Sequence, residues 1–206
     1  AGAVLGIAEH GPISLVLFGR FERTGQDQPA SGSAATADWL LQRFLAEGDA
    51  FLDGLHGHYA VAVADADSGA LWLAMDPAGQ RRIFVRTDDH GLCFSTQLAD
   101  FAALLGPELQ LDRGLEEFLL AHEFLPDRRT PYAGVRVMPP GVVVRWDGNT
   151  LQQRAIDPGP IWEDWLGGYA LDRAGSEEIV DAVGRAFQRA LEEQLPEDER
   201  CAVLLG

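Results

Sequence analysis

The first two thirds of the chain alternate between short apolar runs and turn-forming residues. The runs ISLVLF (13–18), HYAVAVA (58–64) and ALWLAM (70–75) have the length and composition of β-strands, and the AVLGI run before them is a further candidate strand. The turns between the runs are short, and short turns join antiparallel rather than parallel strands. The sequence therefore predicts antiparallel sheet, with a four-stranded meander at its centre. The remaining predicted strands are 82–86, 92–95, 142–146 and 151–154.

Other stretches repeat their apolar residues every three or four positions, which predicts helices. The first helical pattern begins near Thr36, is interrupted at Gly48 and continues to Leu55, with Ser33 or Thr36 as the predicted cap. Two shorter helices are predicted at 97–105 and 112–121, and a long amphipathic helix at 176–195.

The last fifty residues differ in character from those before them. Residues 158–175 are rich in proline and glycine and are interpreted as a linker, which separates a first domain (1–157) from the start of a second one (176–206). The apolar run CAVLL (201–205) is followed at once by Gly206, as at the ligand loop of a parallel α/β sheet. We therefore expect the sequence to be a fragment of a longer protein.

Composition narrows the classes of partner. The 206-residue chain is 47% hydrophobic and carries a net charge of −16, which disfavours nucleic-acid binding. No run approaches the roughly 20 apolar residues that cross a bilayer, and no signal peptide is visible. Cys93 and Cys201 both lie in apolar stretches, as expected of buried thiols in a cytoplasmic protein.

The order of several motifs resembles that of asparagine synthetases. Residues 51–85 are similar to the family's Leu-x-Gly-x-Phe-Ala-Phe-Ala block with its Arg-Asp-x-x-Gly turn, and residues 92–98 (LCFSTQL) resemble its Phe-Ala-Ser-Glu step. The helix at 176–195 followed by CAVLLG resembles the approach to the family's pyrophosphate loop. A Thr…Gly-Ile…Pro-Gly stretch of the family corresponds to Thr130, Gly134, Val135, Pro140 and Gly141.

This resemblance implies a fold and a chemistry. The fold class would be α+β, an αββα sandwich of the N-terminal-nucleophile type built from two antiparallel sheets. The first helix and strand of an α/β ATP pyrophosphatase domain would follow. In the family, the first domain releases ammonia from glutamine, and the second adenylates a carboxylate with ATP and Mg²⁺ so that an amine displaces AMP. Leu204, Leu205 and Gly206 would lead into the nucleotide loop, so most ATP contacts would lie beyond Gly206.

The resemblance also locates a glutamine site that lacks its reactive groups. The family's nucleophile is an N-terminal cysteine, whereas residue 1 is Ala. Its oxyanion Asn-Gly pair aligns with Phe18 and Gly19, and the carboxylate that holds the glutamine amine aligns with Thr36. We therefore expect no catalytic residue in this chain. The vestigial site would comprise Phe18, Gly19, Thr36, Asp76 and Gly79, where the last two form the family's Asp-x-x-Gly turn.

Three hypotheses remain open at this point. The first is an ATP-dependent amide ligase with a degenerate glutaminase domain as scaffold, as in β-lactam synthetases and lasso-peptide cyclases, which join an internal or peptide amine. The second is a true glutamine-hydrolysing asparagine synthetase whose cysteine lies upstream of Ala1. The third is a non-catalytic module that binds a protein or peptide. The expected partners are the rest of the synthetase domain and a small-molecule or peptide substrate, and a homodimer is left open.

Two further groups of polar residues suggest weaker candidate sites. His56 and His58 would share one face of a strand, but no third ligand at suitable spacing accompanies them, so no metal site is predicted. Arg81 and Arg82 are candidates to meet a carboxylate at a domain interface, although exposed arginines are more often simply solvated.

Overall fold

The structure is a computed structural model that describes residues 5–21, 33–89, 91–159 and 175–194. Within those residues the chain is a mixed α+β fold with two antiparallel sheets and four α-helices. The helices are α1 (Ser33–Glu47), α2 (Leu98–Leu105), α3 (Arg113–His122) and α4 (Ser176–Gln194). The strands are β1 (Leu5–His10), β2 (Ile13–Phe21), β3 (Gly57–Asp65), β4 (Leu71–Met75), β5 (Phe84–Asp88), β6 (Gly91–Ser95), β7 (Val135–Val137), β8 (Val142–Trp146) and β9 (Leu151–Ala155).

The larger sheet has six strands in the order β1-β2-β3-β4-β8-β9. Its central pair is the longest, because β2 and β3 run antiparallel over nine residues, from Ile13 opposite Asp65 to Phe21 opposite Gly57. β4 returns along β3, and the strand on its other side is β8, some seventy residues later in the sequence. The sheet thus holds together distant parts of the chain.

Helix α1 covers one face of this sheet. Its buried residues recur at helical spacing, at Ala37, Leu40, Leu41 and Phe44, which is why this segment forms an amphipathic helix. They pack on inward-facing strand residues such as Leu17, and the short segment after α1 adds further apolar contacts. The buried residues that complete this core include Leu15, Phe51, Leu52, Leu55, Tyr59, Val61, Val63, Ala74, Val143 and Ile156.

The smaller sheet has the order β6-β5-β7 and packs against the other face. The two sheets meet through buried apolar side chains. The larger sheet contributes Leu73, Met75 and Val144, and these contact Ile83, just before β5, and Met138, just after β7. Helix α2 follows β6 and contacts it, with Phe101 buried. The two sheets therefore face each other, with α1 on the outer face of the larger one, and the two antiparallel sheets predicted from the sequence are confirmed.

The predicted meander is wrong in one respect, because its four strands belong to two sheets. β3 and β4 pair within the larger sheet, whereas β5 and β6 pair in the smaller one. β5 begins at Phe84 rather than at Arg82, since the backbone N–H groups of Gln80 and Arg81 both donate to the carboxylate of Asp76 and prolong the turn. The three-residue strand β7 was not predicted, because so short a run leaves no periodicity.

Helices are confirmed at the four predicted places, with corrections at both ends of α1. The pattern predicted to continue to Leu55 is not α-helical beyond Glu47, because a three-residue 3₁₀ helix at Gly48–Ala50 and a turn follow. Thr36 does not cap this helix, because α1 begins at Ser33 and Thr36 lies within its first turn. Helix α4 matches the predicted long helix and exposes Val180, Val183 and Phe187 on one side. The predicted linker lies almost wholly outside the described residues, and so does the CAVLL strand with Leu204, Leu205 and Gly206. No described helix is long and apolar enough to cross a membrane.

A polar clasp fastens the last strand to the segment after α1. The guanidinium of Arg154 donates through both Nη atoms to the carboxylate of Asp53, at 2.8 Å for the Nη1–Oδ1 pair. The N–H of Asp157 donates to the same carboxylate at 3.0 Å, and the N–H of Gly54 donates to the carbonyl of Asp157 at 2.8 Å. Hydrogen bonding from Arg154 holds the pKa of Asp53 below its usual range, against an opposing effect of burial.

We predict that Asp53→Asn lowers the free energy of unfolding by about 1–2 kcal/mol at pH 7, because it weakens charge-assisted hydrogen bonds at a partly exposed site. A lowered pKa means that the folded state favours the ionised carboxylate. The contribution of Asp53 is therefore complete above its unfolded pKa and is lost as the pH falls through the folded value.

Urea unfolding of the wild type and the variant at several pH values checks this prediction. The difference in stability should be largest near neutrality, should begin to shrink below the unfolded pKa of about 3.9, and should vanish as the pH falls through the lower folded pKa. Asp89→Asn, which removes an exposed carboxylate, is the matched control and should leave stability within about 0.5 kcal/mol of wild type. A difference between wild type and Asp53→Asn that is the same at every pH would contradict the assignment.

Candidate functional site

The candidate site lies where β2 ends. Phe18 is opposite Ala60 of β3 and Leu5 of β1, and its half-buried ring packs on the cluster between the two sheets. Gly19 is the next residue and is opposite Tyr59. Alternation along the strand therefore directs the side chain of Phe18 away from helix α1.

Gly19 is held in a conformation that other residues rarely adopt. Its φ is +125°, and a Cβ atom at this position would lie 1.9 Å from the carbonyl oxygen of His58 on β3. The two strands thus approach too closely for any side chain. This requirement accounts for the glycine by backbone geometry alone, whatever else its N–H group does.

A buried turn borders Phe18 on the side of the smaller sheet. Asp76 is fully buried, and its two carboxylate oxygens accept hydrogen bonds from the N–H groups of Gln80 (3.1 Å) and Arg81 (3.0 Å). Its own N–H donates to the carbonyl of Tyr59 at 3.0 Å, and its carbonyl accepts from Gly79 at 2.9 Å. Both acceptor oxygens of Asp76 are engaged in holding the turn, so here the carboxylate has a structural task.

The same turn places the guanidinium of Arg81 beside the aromatic ring of Phe18. The Cζ atom of Arg81 lies 5.0 Å from the ring centre of Phe18, within the range of a cation–π contact. A phenyl ring has no hydrogen-bond donor, and the guanidinium now occupies one of its faces. Phe18, Gly19, Asp76 and Gly79 are thus brought together by the structure around the end of β2.

The fifth predicted residue, Thr36, lies on the α1 side of the sheet. It is half-buried in the first turn of that helix, three positions before Trp39. The ring of Trp39 meets the ring of Phe21 edge-on at 6.4 Å, which places the start of α1 near the end of β2. Thr36 therefore lies near the same end of β2 as Phe18, but on the opposite face of the sheet.

Tyr59 lies beside the end of β2, and it was not among the predicted site residues. Its ring lies 4.7 Å from that of Phe21 and is fully buried, and its hydroxyl has no hydrogen-bond partner among the described residues. Burial raises the pKa of the Tyr59 hydroxyl above its usual range, and the carboxylates of Asp76 and Asp53 act in the same direction. The hydroxyl is therefore neutral at any physiological pH. An alternating apolar strand gives no signal that one of its aromatic residues carries an unpaired polar atom.

The other candidate groups form no second catalytic cluster in the described part of the chain. No three His, Cys, Asp or Glu side chains in it are placed to hold a metal ion. Cys93 is a half-buried free thiol on β6, and burial raises its pKa, which disfavours the nucleophilic thiolate.

We predict that Gly19→Ala destabilises the fold by roughly 2–4 kcal/mol, because the new methyl group meets the His58 carbonyl and the backbone leaves its preferred conformation. Thermal or urea unfolding measures the loss. Gly11→Ala is the control, since Gly11 also has a positive φ (+58°) but open space around it, and it should cost about 1 kcal/mol. Equal effects at the two positions would refute the close approach of β2 and β3.

We predict that Tyr59→Phe leaves the free energy of unfolding unchanged or raises it by about 1 kcal/mol, because it removes a buried hydroxyl that has no hydrogen-bond partner in the described part of the chain. Tyr132→Phe, at a partly exposed position, is the matched control. A loss of more than about 1 kcal/mol at Tyr59 would show that its hydroxyl is hydrogen-bonded in solution.

The chain has no significant match among curated proteins. Among solved structures it is similar to the glutamine phosphoribosylpyrophosphate amidotransferase from B. subtilis, bound to ADP and GMP, at 14% identity and a TM-score of 0.43. A structure of "the allosteric regulatory enzyme of purine biosynthesis" matches at 15% identity and a TM-score of 0.43.

Both alignments cover 75% of this chain but 31% of the other, so the chain spans less than a third of the length of either protein. A family model matches more than half of the chain. Residues 22–156, about two thirds of the sequence, match the glutamine amidotransferase domain family. With its two stacked antiparallel sheets and the glycine-bearing strand end at its candidate site, this chain belongs to the glutamine amidotransferase domain family.

Proposed function

We propose that this domain is the non-hydrolysing scaffold of an ATP-dependent, amide-forming ligase related to asparagine synthetases. It belongs to a family named for glutamine use, but at its candidate glutamine site aromatic and arginine side chains stand where the resemblance places polar groups. In such a ligase the amine would come from the substrate itself, so the domain would not have to release ammonia.

The observation that carries the proposal is the Phe18–Arg81 pair. In the resemblance to asparagine synthetases, Phe18 stands where an asparagine side chain would donate to the developing oxyanion. A phenyl ring under a guanidinium, 5.0 Å from its centre, offers no such amide donor. The loss of one oxyanion donor typically costs about 3 kcal/mol of transition-state stabilisation.

Thr36 supports the same conclusion from the other side of the sheet. The resemblance places there the carboxylate that would hold the α-amine of glutamine. A threonine hydroxyl is neutral, so it offers no charge to an ammonium group. The oxyanion donor and the amine-binding group are therefore both replaced, while Gly19, which the backbone requires, is retained.

The ligase half of the proposal rests on the resemblance of residues 176–206. Helix α4 would be the first helix of an ATP pyrophosphatase domain, and Leu204, Leu205 and Gly206 would lead into its nucleotide loop. ATP and Mg²⁺ would supply the adenylation of a carboxylate, with most of their ligands beyond Gly206. A peptide or small-molecule amine would then displace AMP.

A second candidate function is genuine glutamine hydrolysis, with the nucleophilic cysteine upstream of Ala1. The presence of Gly19 favours this alternative. In the resemblance, its backbone N–H group at the end of β2 is the one donor of the Asn-Gly oxyanion pair that would be kept. This alternative requires that one backbone donor suffices without the asparagine amide.

Glutamine turnover separates the two candidates. We expect the 206-residue chain to release no ammonia or glutamate from glutamine above a buffer blank, and to form no adduct with the glutamine analogue 6-diazo-5-oxo-norleucine in intact-mass spectra. Release of ammonia by the wild-type chain would overturn the scaffold proposal. The same assays on the complete polypeptide, together with carboxylate-dependent exchange between ATP and pyrophosphate, test the second candidate and the ligase half.

The variant Phe18→Asn tests whether residue 18 is the block. If a nucleophile is present in the complete polypeptide, restoring the amide donor should raise glutamine turnover by roughly 10²-fold or more. Phe18→Leu, which keeps an apolar side chain, is the matched control and should leave turnover at the blank. In a polypeptide whose wild type shows glutamine turnover above the blank, equal turnover of the two variants would refute a role for residue 18 as an oxyanion position.

A further inference from the structure

We propose that the segment 128–137, which ends in β7, binds a phosphate group between the guanidinium groups of Arg129 and Arg136. Both arginines are exposed, and neither belongs to the candidate glutamine site. We refer to these two side chains as the arginine pair. The proposed site is independent of glutamine and of ATP, so failure of the ligase proposal would leave it standing.

The arginine pair is brought together by the pairing of the backbone. Arg129 and Arg136 are directly opposite each other in an antiparallel bridge. The N–H of Val137 donates to the carbonyl of Arg128 at 2.8 Å, one position outside the bridge, so the two arginines form a non-hydrogen-bonded pair. In such a pair the Cα atoms are about 4.5 Å apart and both side chains leave the same face of the strands. The two guanidinium groups can therefore contact one ligand together.

The backbone that carries the pair is fixed on both sides. Thr130 is buried, and its Oγ1 atom donates to the carbonyl of Val135 at 2.9 Å and accepts from the N–H of Tyr132 at 3.2 Å. On the other side β7 pairs with β5, where Arg136 is opposite Val85. Binding of a ligand between the two arginines therefore requires little further ordering of the backbone, which favours affinity.

The pairing is unfavourable unless something neutralises it, because like charges directly opposite each other destabilise a pair of strands. Among the described strand pairs and bridges, Arg129 and Arg136 are the one case in which two residues of like charge are opposite each other. No carboxylate of the described residues forms an ion pair with either of them. An anion between the two guanidinium groups would replace this repulsion by two attractive contacts.

The surrounding sequence is also locally positive. Residues 124–146 contain four arginines and one aspartate, whereas the rest of the chain contains 12 arginines and 31 acidic residues. On a protein with a net charge of −16, most of the surface repels a small anion. This segment is therefore the part of the described chain to which an anion is attracted.

The chemistry of two guanidinium groups selects phosphate over carboxylate. Each guanidinium binds an oxyanion through two parallel N–H groups, so the pair presents two such forks. A carboxylate has a single edge of two oxygens and one negative charge, which match one fork. The phosphate group of a monoester has three terminal oxygens and a charge of about −1.5 to −2 at pH 7, so it can engage both forks at once.

Titration of inorganic phosphate into the ¹⁵N-labelled 206-residue chain tests the proposal. We expect the side-chain Nε–H signals of Arg129 and Arg136 to shift with a Kd on the order of 1 mM, and acetate at equal ionic strength to bind at least about tenfold more weakly. Arg129→Gln and Arg136→Gln should each weaken phosphate binding by about tenfold. Arg185→Gln, the same charge change at an exposed position of α4, should leave the Kd within about twofold.

Glycerol phosphate, a simple monoester, distinguishes two sources of the same group. Binding within about tenfold of inorganic phosphate assigns the arginine pair to the phosphate group of an organic ligand, and weaker binding assigns it to free phosphate.

Thermal unfolding gives a second readout, which a merely solvated pair would not change. Without phosphate, Arg136→Gln should raise the unfolding midpoint, because it removes the repulsion within the pair. In about 20 mM phosphate at equal ionic strength it should lower the midpoint, because the bound ligand stabilises the wild type more than the variant. The proposal is overturned if phosphate shifts neither arginine signal, if acetate binds as tightly, or if Arg136→Gln changes the midpoint equally with and without phosphate.

Discussion

The buried carboxylate of Asp76 is the contact on which the arrangement of the two sheets depends. It follows β4 directly, and its N–H group continues the pairing with Tyr59 on β3. Its two oxygens then bind the N–H groups of Gln80 and Arg81, so the chain cannot continue along the sheet and is turned away from it. β5 therefore begins a second sheet. On the side of β4 away from β3, β8 pairs with β4 in the larger sheet.

The same contact explains why the candidate site is a structural as well as a chemical unit. Because the N–H of Arg81 is held by Asp76, its side chain emerges beside Phe18 at the end of β2. Tyr59 lies on the opposite face of the sheet and links this corner to Phe21 and to the start of α1. A change at Asp76 would thus alter a strand, a turn and the environment of two aromatic rings at once. Such coupling is expected in densely packed interiors.

Local patterns were sufficient to predict most elements but not their partners. The alternation at 58–64 and the helical spacing from Ala37 to Phe44 each record which face is buried, so β3 and α1 could be predicted from the sequence. The separation of β4 from β5 could not, because it depends on hydrogen bonds that Asp76 makes four and five residues ahead. At the candidate site, Phe18, Gly19, Asp76 and Gly79 were predicted through resemblance to a family, and their role stays a prediction. Tyr59 was missed, since its importance arises from three-dimensional packing and burial.

The clasp between Asp53 and Arg154 has a mechanical consequence. Among the described strands β9 is an edge of the larger sheet, and Ile156 and Asp157 follow it directly in the chain. A force applied from that side would peel β9 from β8 one residue pair at a time, the geometry in which a sheet resists least. The paired contacts of Asp53 with Arg154 and Asp157 lie at the start of that path. The contact of Asp157 would have to break before the first pair opens, and the contact of Arg154 before the second, so a pull from the C-terminal side would meet these hydrogen bonds in addition to those of the sheet.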